Sequence, residues 1–335
     1  MLITAYNRAD CVERCVASCT RQTFADLEVV VVDDGSTDAT AAVLAGLEGE
    51  RLRVIRHERN RGIASARATA VEHAEGEWCV MVDSDDELAP GALARLRELI
   101  DELPPGVRII RSRLRLDDGS LAPAVLPSGV VDYRGRLEWL EAITLSGGNS
   151  DAGHCMNRAV FEGGNYFAGR RGAVEALWEL DLARREPSLW VADVLGLVHA
   201  DAPNSLIRDV GARRLIERLL ADAPDQRWMA ETMLARHGDG LARYAPHYLR
   251  WVAESAALQA FLAGARVAGL HNSLVAVRAG VAPAKLLATA GAGLAGPRPL
   301  AYAKIGGRRL RVLARELRRR RAGHAPAGGD GGCGE

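Results

Sequence analysis

Four consecutive valines, residues 29–32, run straight into Asp33-Asp34-Gly35-Ser36. An apolar run with no polar alternation belongs to a strand buried on both faces, and adjacent acids mark where that strand leaves the interior. A second run, Trp78-Cys79-Val80-Met81-Val82, stops the same way at Asp83-Ser84-Asp85-Asp86. Residues 1–5, 27–33, 51–57 and 77–83 read as strands. Helical patterns at 10–21, 38–47, 63–74 and 90–100 alternate with them. This order predicts an α/β fold with a mostly parallel sheet flanked by helices. In such sheets ligands bind beyond the carboxyl ends of the strands. The residues expected there are Thr4-Ala5-Tyr6-Asn7, Asp33-Asp34 and Asp83 to Asp86.

Beyond residue 106 the pattern loosens. Residues 107–131 read as further strands with a turn at Asp117-Asp118-Gly119, followed by a helix near 134–143. The Gly- and Asn-rich stretch 145–154 reads as a loop, with helices at 158–162 and 172–185. After Asp209 the chain is helical and Ala-rich, with breaks expected at Pro224, Pro246, Pro283 and Pro297. Residues 322–335 are too poor in apolar groups to fold, so a disordered tail is expected.

Formal net charge is zero over 335 residues, which removes any global electrostatic case for nucleic acid. The charge is nevertheless uneven. Arg298, Lys304, Arg308, Arg309, Arg311, Arg315 and Arg318 to Arg321 face the single acid Glu316. With Leu, Val and Ile interleaved, 298–321 reads as a basic amphipathic end suited to the surface of an anionic membrane, or as a solvated basic helix. It lacks the interleaved aromatics of a nucleic-acid module. Residues 1–11 do not read as a secretory leader and no run of about 18 apolar residues occurs. A cytoplasmic protein with reduced thiols is expected, peripheral on the inner face of the plasma membrane if the basic end docks there. Cys11, Cys15 and Cys19 share one helix face, where small buried thiols packing on a sheet explain them better than three metal ligands one turn apart.

The acids at the strand ends raise their own question. Crowded carboxylates repel unless a cation or donors sit among them, and hard oxygen ligands suit Mg²⁺ or Mn²⁺ bridging to a substrate phosphate. Read alone, Asp83-Ser84-Asp85-Asp86 is weak evidence for a metal and reads first as an acidic cap for the helix that follows. His154 and His199 lie in the later half, as structural histidines or as contacts for acceptor or phosphate.

Five blocks in order resolve part of this ambiguity: Ile3-Thr4-Ala5-Tyr6-Asn7, Gln22-Thr23, Val32-Asp33-Asp34-Gly35-Ser36, Asn60-Arg61-Gly62 through Ala66-Arg67, and Asp83-Ser84-Asp85-Asp86. Together they resemble the family 2 glycosyltransferases of the GT-A fold, across residues 3–90. The resemblance implies a GT-A domain over 1–206, with a nucleotide-binding half (1–105) and an acceptor half (106–206). A helical region, 207–321, would follow. It also implies that Thr4 and Tyr6 pack around a nucleotide base, that Asp34 accepts a hydrogen bond from it with Asp33 in support, and that Arg67 stands on the nucleotide side. Asp83 and Asp85 match the Asp-x-Asp pair, whose second acid reaches the divalent metal.

Two departures from the family pattern follow. The general base is usually the Asp of a Glu-Asp pair opening a helix. Here Val174-Glu175 occupies that place, making Glu175 the expected base, with Glu179 and Asp181 as distant alternatives. The first strand is also expected to be only about four residues long, which would weaken the sheet near the base. The function implied is inverting transfer of a sugar, most simply from a UDP-sugar donor, to a glycan or lipid-linked acceptor in cell-surface polysaccharide synthesis. A non-catalytic sugar-nucleotide-binding relative and a sugar nucleotidyltransferase are the alternatives. The latter is disfavoured because residues 4–11 lack a glycine-rich loop.

Overall fold

The computed structural model describes residues 1–47, 49–162, 175–199 and 212–304. Strand β1 (Leu2–Ala5) lies between the parallel strands β2 (Val29–Asp33) and β4 (Trp78–Asp83), and β3 (Leu52–Arg56) extends the sheet beyond β2. Helices α1 (Val12–Thr20), α2 (Thr40–Ala45), α3 (Ile63–Glu72) and α4 (Ala92–Asp101) alternate with these strands, as expected. The valine run is apolar throughout because it is covered twice. Val29 and Val31 pack with Ile3, Cys15, Val16 and Leu96 on one face, while Val30 and Val32 pack with Leu2, Ala66 and Ala70 on the other. Each buried aliphatic side chain contributes about 1.5–3 kcal/mol, so a one-residue slip of this strand would gain nothing and lose its loops.

The remaining sheet is mixed. Its order is β3-β2-β1-β4-β9-β6-β10-β5, with β9 (Gly153–Asn157) antiparallel to both β4 and β6 (Ile109–Leu116). Strand β10 (Ser188–Val198) runs parallel to β6 and antiparallel to β5 (Glu87–Leu88). Short strands β7 (Leu121–Ala122) and β8 (Gly129–Val131) pair with β6 and β10. Strands β9 and β10 correct the sequence reading, which ran a loop through His154 and assigned nothing to 188–198. Helices α5 (Tyr133–Ser146) and α6 (Glu175–Ala183) lie in this half, and the helix expected at 158–162 is a single 3₁₀ turn over Arg158–Phe161.

Helices α7 (Ala212–Tyr244), α8 (Pro246–Leu262), α9 (Arg266–Arg278) and α10 (Pro283–Leu294) form the helical C-terminal region. Pro246 and Pro283 open their helices, where a missing N–H costs nothing. Pro224 does not break the chain as expected but sits inside α7, beside the fully buried Ala223; packing of this face outweighs the lost hydrogen bond. The expected disordered tail, Cys333 and residues 305–321 lie outside the described residues.

Phe261, fully buried, is held between Gly269 of α9 and Gly293 of α10, where an added Cβ would come within 2.7 and 2.5 Å of its ring. We expect Gly293→Ala to destabilise the protein by about 1–2 kcal/mol net, because overpacking outweighs the alanine's helix preference. A lower denaturant midpoint at unchanged m-value would register it.

Candidate active site

The ends of β1, β2 and β4 meet at one edge, since Ala5 is in register with Asp33 and Thr4 with Asp83. Thr4 is half-buried there and Tyr6 is 41% exposed just beyond it. Asn7 takes the left-handed conformation (φ 53°), its amide donating to Ser36 Oγ at 2.9 Å and its Oδ1 accepting from the Thr37 amide at 2.9 Å. The loops after β1 and β2 are thereby stitched together. Gly35 (φ 69°) is required because a Cβ would lie 2.4 Å from the Arg59 backbone.

Both acids of the valine strand fold back on loops. Asp34, 3% exposed, accepts from His57 Nδ1 (2.7 Å) and the Arg61 amide (2.9 Å) through Oδ1, and from the Gly62 amide (2.8 Å) through Oδ2. Three of about four carboxylate acceptor positions are thus filled. Asp33, 1% exposed, accepts the Ser36 amide through Oδ1. Its Oδ2 lacks a hydrogen-bond donor, although Arg56 Nε is 3.3 Å away. His57, buried between Asp34 and Thr69 Oγ1 (3.0 Å), was missed by the sequence reading; only its partners in three dimensions mark it.

Across β4, Arg67 of α3 joins two acids that lie far apart in sequence. One guanidinium nitrogen donates to Asp83 Oδ1 at 3.1 Å and the other is bonded to Glu175 Oε1 at the start of α6. Burial opposes the charge on Arg67, but Glu175 and Asp83 more than offset this and raise its pKa. Three of the predicted residues are therefore brought together. Asp85 stands apart from this trio and faces Arg8, whose Nη2 is 3.8 Å from Oδ2; Arg14 donates to the Asp85 carbonyl at 2.9 Å. Sequence reasoning singled out neither arginine, although Arg8 directly follows the Tyr6-Asn7 block.

Electrostatics at this edge are unbalanced. Burial raises the Asp85 pKa, with Asp83 adding to the shift and Arg8 opposing it. Asp86 is pushed up to about 8 by burial and by Asp83. Asp151 is raised by burial, and Asp83 and Glu179 reinforce the shift. Hard carboxylate oxygens carrying excess negative charge fit a divalent cation of the Mg²⁺ or Mn²⁺ kind. Among the described residues no three His, Cys, Asp or Glu groups form a ready cage. A cation that keeps several waters and shares its coordination with substrate phosphates needs no such cage.

A raised acid adds stability that is fully present below about pH 4 and lost as pH rises through the folded-state value, about 8 for Asp86. We expect this group to lower the Tm of the ligand-free protein as pH rises from about 5 to about 8, with no further loss above that, and Asp86→Asn to flatten that fall. The asparagine Oδ1 can still accept from the His199 amide, which donates to Asp86 at 3.1 Å. An undiminished fall in the variant would assign it to another group.

The other sequence candidates serve structural pairs. Glu179, one turn after Glu175, is bonded to Arg111 (2.9 Å) and Arg136. Burial alone would raise it, but the two arginines hold it well below the usual carboxylate range. His154 is lowered to about 3 by burial and by Arg111, whose guanidinium donates to its Nδ1 at 2.9 Å, so the ring is neutral. Asp181 points to α7, pairing with Arg236 (2.6 Å) and His237 (2.8 Å). His199 lies between Asp117 and Glu87, 2.9 Å from each. Cys15 and Cys19 are fully buried in the sheet core, as read, and Cys15 Sγ donates to the Asp83 carbonyl at 3.3 Å.

A parallel sheet with acids at its carboxyl edge and a mixed extension beyond it, flanked by helices, match the GT-A glycosyltransferase fold. The chain belongs to glycosyl transferase family 2, whose family model matches residues 1–175. It is 42% identical over 100 residues to the succinoglycan biosynthesis protein ExoO of Rhizobium meliloti, covering 30% of this chain and 29% of that protein. It is also 42% identical over 121 residues to the chondroitin synthase of Pasteurella multocida, covering 36% of this chain and 12% of that one. The matched region is thus under a third of either relative. Among solved structures, S. aureus TarS 1–349 superposes with a TM-score of 0.51 at 18% identity, covering 81% of this chain and 87% of that one, a likeness of fold.

Proposed function

We propose that this protein is an inverting, metal-dependent glycosyltransferase that moves a sugar from a nucleotide-diphosphate donor to a glycan or lipid-linked acceptor in cell-surface polysaccharide synthesis. The observation that carries the reading is the Asp83–Arg67–Glu175 bridge. It ties the candidate base, through Arg67, to Asp83, the first acid of the Asp-x-Asp pair. The printed names of the relatives, succinoglycan biosynthesis and chondroitin synthesis, support the polysaccharide setting. A UDP-linked donor is the favoured form, in keeping with a TarS structure in complex with UDP-GlcNAc. Residues 1–105 would serve the donor, 106–206 the acceptor, and 207–321 would form the helical region.

In this reading Thr4 and Tyr6 flank the nucleotide base, while Asp34 with its remaining acceptor position and Asp33 with its undonated Oδ2 receive base or ribose donors. Asp85 would hold Mg²⁺ or Mn²⁺, with Asp83 next to it on the donor side. A bound cation would offset the charge developing on the leaving diphosphate. Arg67 is held ready between two acids, and an arriving diphosphate competes for its guanidinium and frees Glu175. The Glu175 carboxylate takes the proton of the acceptor hydroxyl as the new C1–O bond forms on the face opposite the departing phosphate oxygen.

A cytoplasmic setting accords with the five free, buried cysteines among the described residues. No helix of the described residues is long and apolar enough to cross a membrane. Contact of 298–321 with an anionic membrane remains part of the proposal. Thermal shifts with a panel of UDP-, dTDP- and GDP-sugars, with and without Mn²⁺, test the reading. We expect one donor to raise Tm by several degrees only with the cation, because a ligand that binds the native state alone stabilises it. No shift with any donor would overturn it.

A further inference from the structure

Helix α9 exposes Val267 (84%), Leu270 (45%), Leu274 (63%) and Val277 (41%). Their spacing of three, four and three residues places all four within one arc of the helix. Its opposite side is fixed inward: Gly269 lies against Phe261, and buried Asn272 donates to Glu231 Oε1 (2.7 Å) and the Ala256 carbonyl (3.2 Å). The apolar arc therefore cannot roll into the core. Helix α10, packed on α9, leaves Leu287 (72%) and Leu294 (47%) in solvent, and Tyr302 follows at 61%. A soluble surface rarely leaves so many large apolar groups together without an occupant.

Charge identifies the occupant. From residue 255 to residue 304 the chain holds no Asp or Glu, but it holds Arg266, Arg278, Lys285, Arg298 and Lys304. On α9 the arc is edged by Arg266 on one side and by Arg278 and His271 on the other, all three exposed. Lys285 is paired with Glu254 at 2.6 Å, the acid that precedes the acid-free stretch. Two other occupants carry the same sign as this face. A second copy would present the same cations, and the chain's own 308–321 segment has eight arginines against one acid. Like charge disfavours both, whereas an anionic lipid surface attracts the cations and takes in the leucines.

We propose that the α9 face, with the exposed leucines of α10 beside it, is a docking surface for an anionic lipid bilayer, into whose headgroup region Val267, Leu270, Leu274 and Val277 insert. The assignment rests on the α9 and α10 surfaces and not on the donor chemistry. It extends the membrane contact proposed for the basic end to a folded part of the protein. For a transferase acting on a lipid-linked acceptor, such a surface would hold the enzyme at the layer that contains its acceptor.

Flotation of the full chain with phosphatidylcholine vesicles, with and without about 30% phosphatidylglycerol, tests this. The wild type is expected to float with the anionic vesicles only. Leu270→Lys/Leu274→Lys adds two positive charges yet is expected to lower partitioning at least tenfold, because apolar insertion is lost. Arg266→Gln/Arg278→Gln should also weaken it and reduce its salt dependence. Replacing Arg318 to Arg321 by Gln should leave part of the wild-type partitioning in place. Equal flotation of the leucine variant and the wild type would overturn the proposal. So would a wild type that ignores anionic vesicles, whether the leucine variant then changes the oligomeric state, indicating a second copy, or exposes 308–321 to protease, indicating that segment. Donor-induced thermal shifts on each variant report separately on folding and on the transferase reading.

Discussion

Glu175→Gln is expected to lower kcat by about 10²- to 10⁴-fold, the usual contribution of a positioned general base. The variant keeps an amide oxygen that can accept from Arg67, so the Asp83–Arg67 pairing at 3.1 Å should survive and donor affinity should change little. Steady-state release of nucleoside diphosphate with and without acceptor makes the measurement. A loss confined to kcat identifies a proton acceptor. A loss confined to KM for the donor would mean that Glu175 only steers Arg67, and an unchanged rate would remove it from the mechanism. The same experiment addresses the non-catalytic alternative, since a protein that only binds sugar nucleotide has no rate for the substitution to reduce.

Asp85→Ala should have a comparable effect by a different route. If Asp85 holds the cation as proposed, its loss would remove a hard oxygen ligand where charge develops on the leaving group, and we expect kcat/KM to fall by at least about 10³-fold, at the upper end for a lost electrostatic stabiliser. The fold should tolerate the change. Asp85 is partly exposed, its ionisation is already opposed by burial and Asp83, and its nearest cation is 3.8 Å away. Relieving that repulsion offsets the lost pairing with Arg8, so an unchanged denaturant midpoint is the control. Restoration of full activity by any divalent ion in the variant, or retention of full transfer, would exclude Asp85 as the ligand.

Much of this site was legible in residue order because local sequence and register carry it. An apolar run covered on both faces must be a buried strand, and parallel neighbours must end at one edge. Thr4, Asp33 and Asp83 therefore meet for reasons that pattern alone supplies. The sheet beyond residue 106 was less legible. Strands β9 and β10 are specified by partners distant in sequence, such as Met81 with His154 and Ile110 with Leu189, and their residues show no clean alternation. Pro224 misled for a related reason, since helix α7 is held by the faces packed against it and not by its own backbone bonds alone.

The amino-acid order by itself determined the parallel frame, the placing of acids at its edge and the glycosyltransferase resemblance, because those depend on periodicity and on motifs a few residues long. Only the tertiary structure decided what the acids touch. It gave Asp34 to His57 and the Arg61 and Gly62 amides, left Asp33 Oδ2 without a donor, and set Arg67 between Asp83 and Glu175. The last of these spans 108 residues of sequence. Side-chain pairing over such separations is set by how helices pack on the sheet, and no local pattern encodes it.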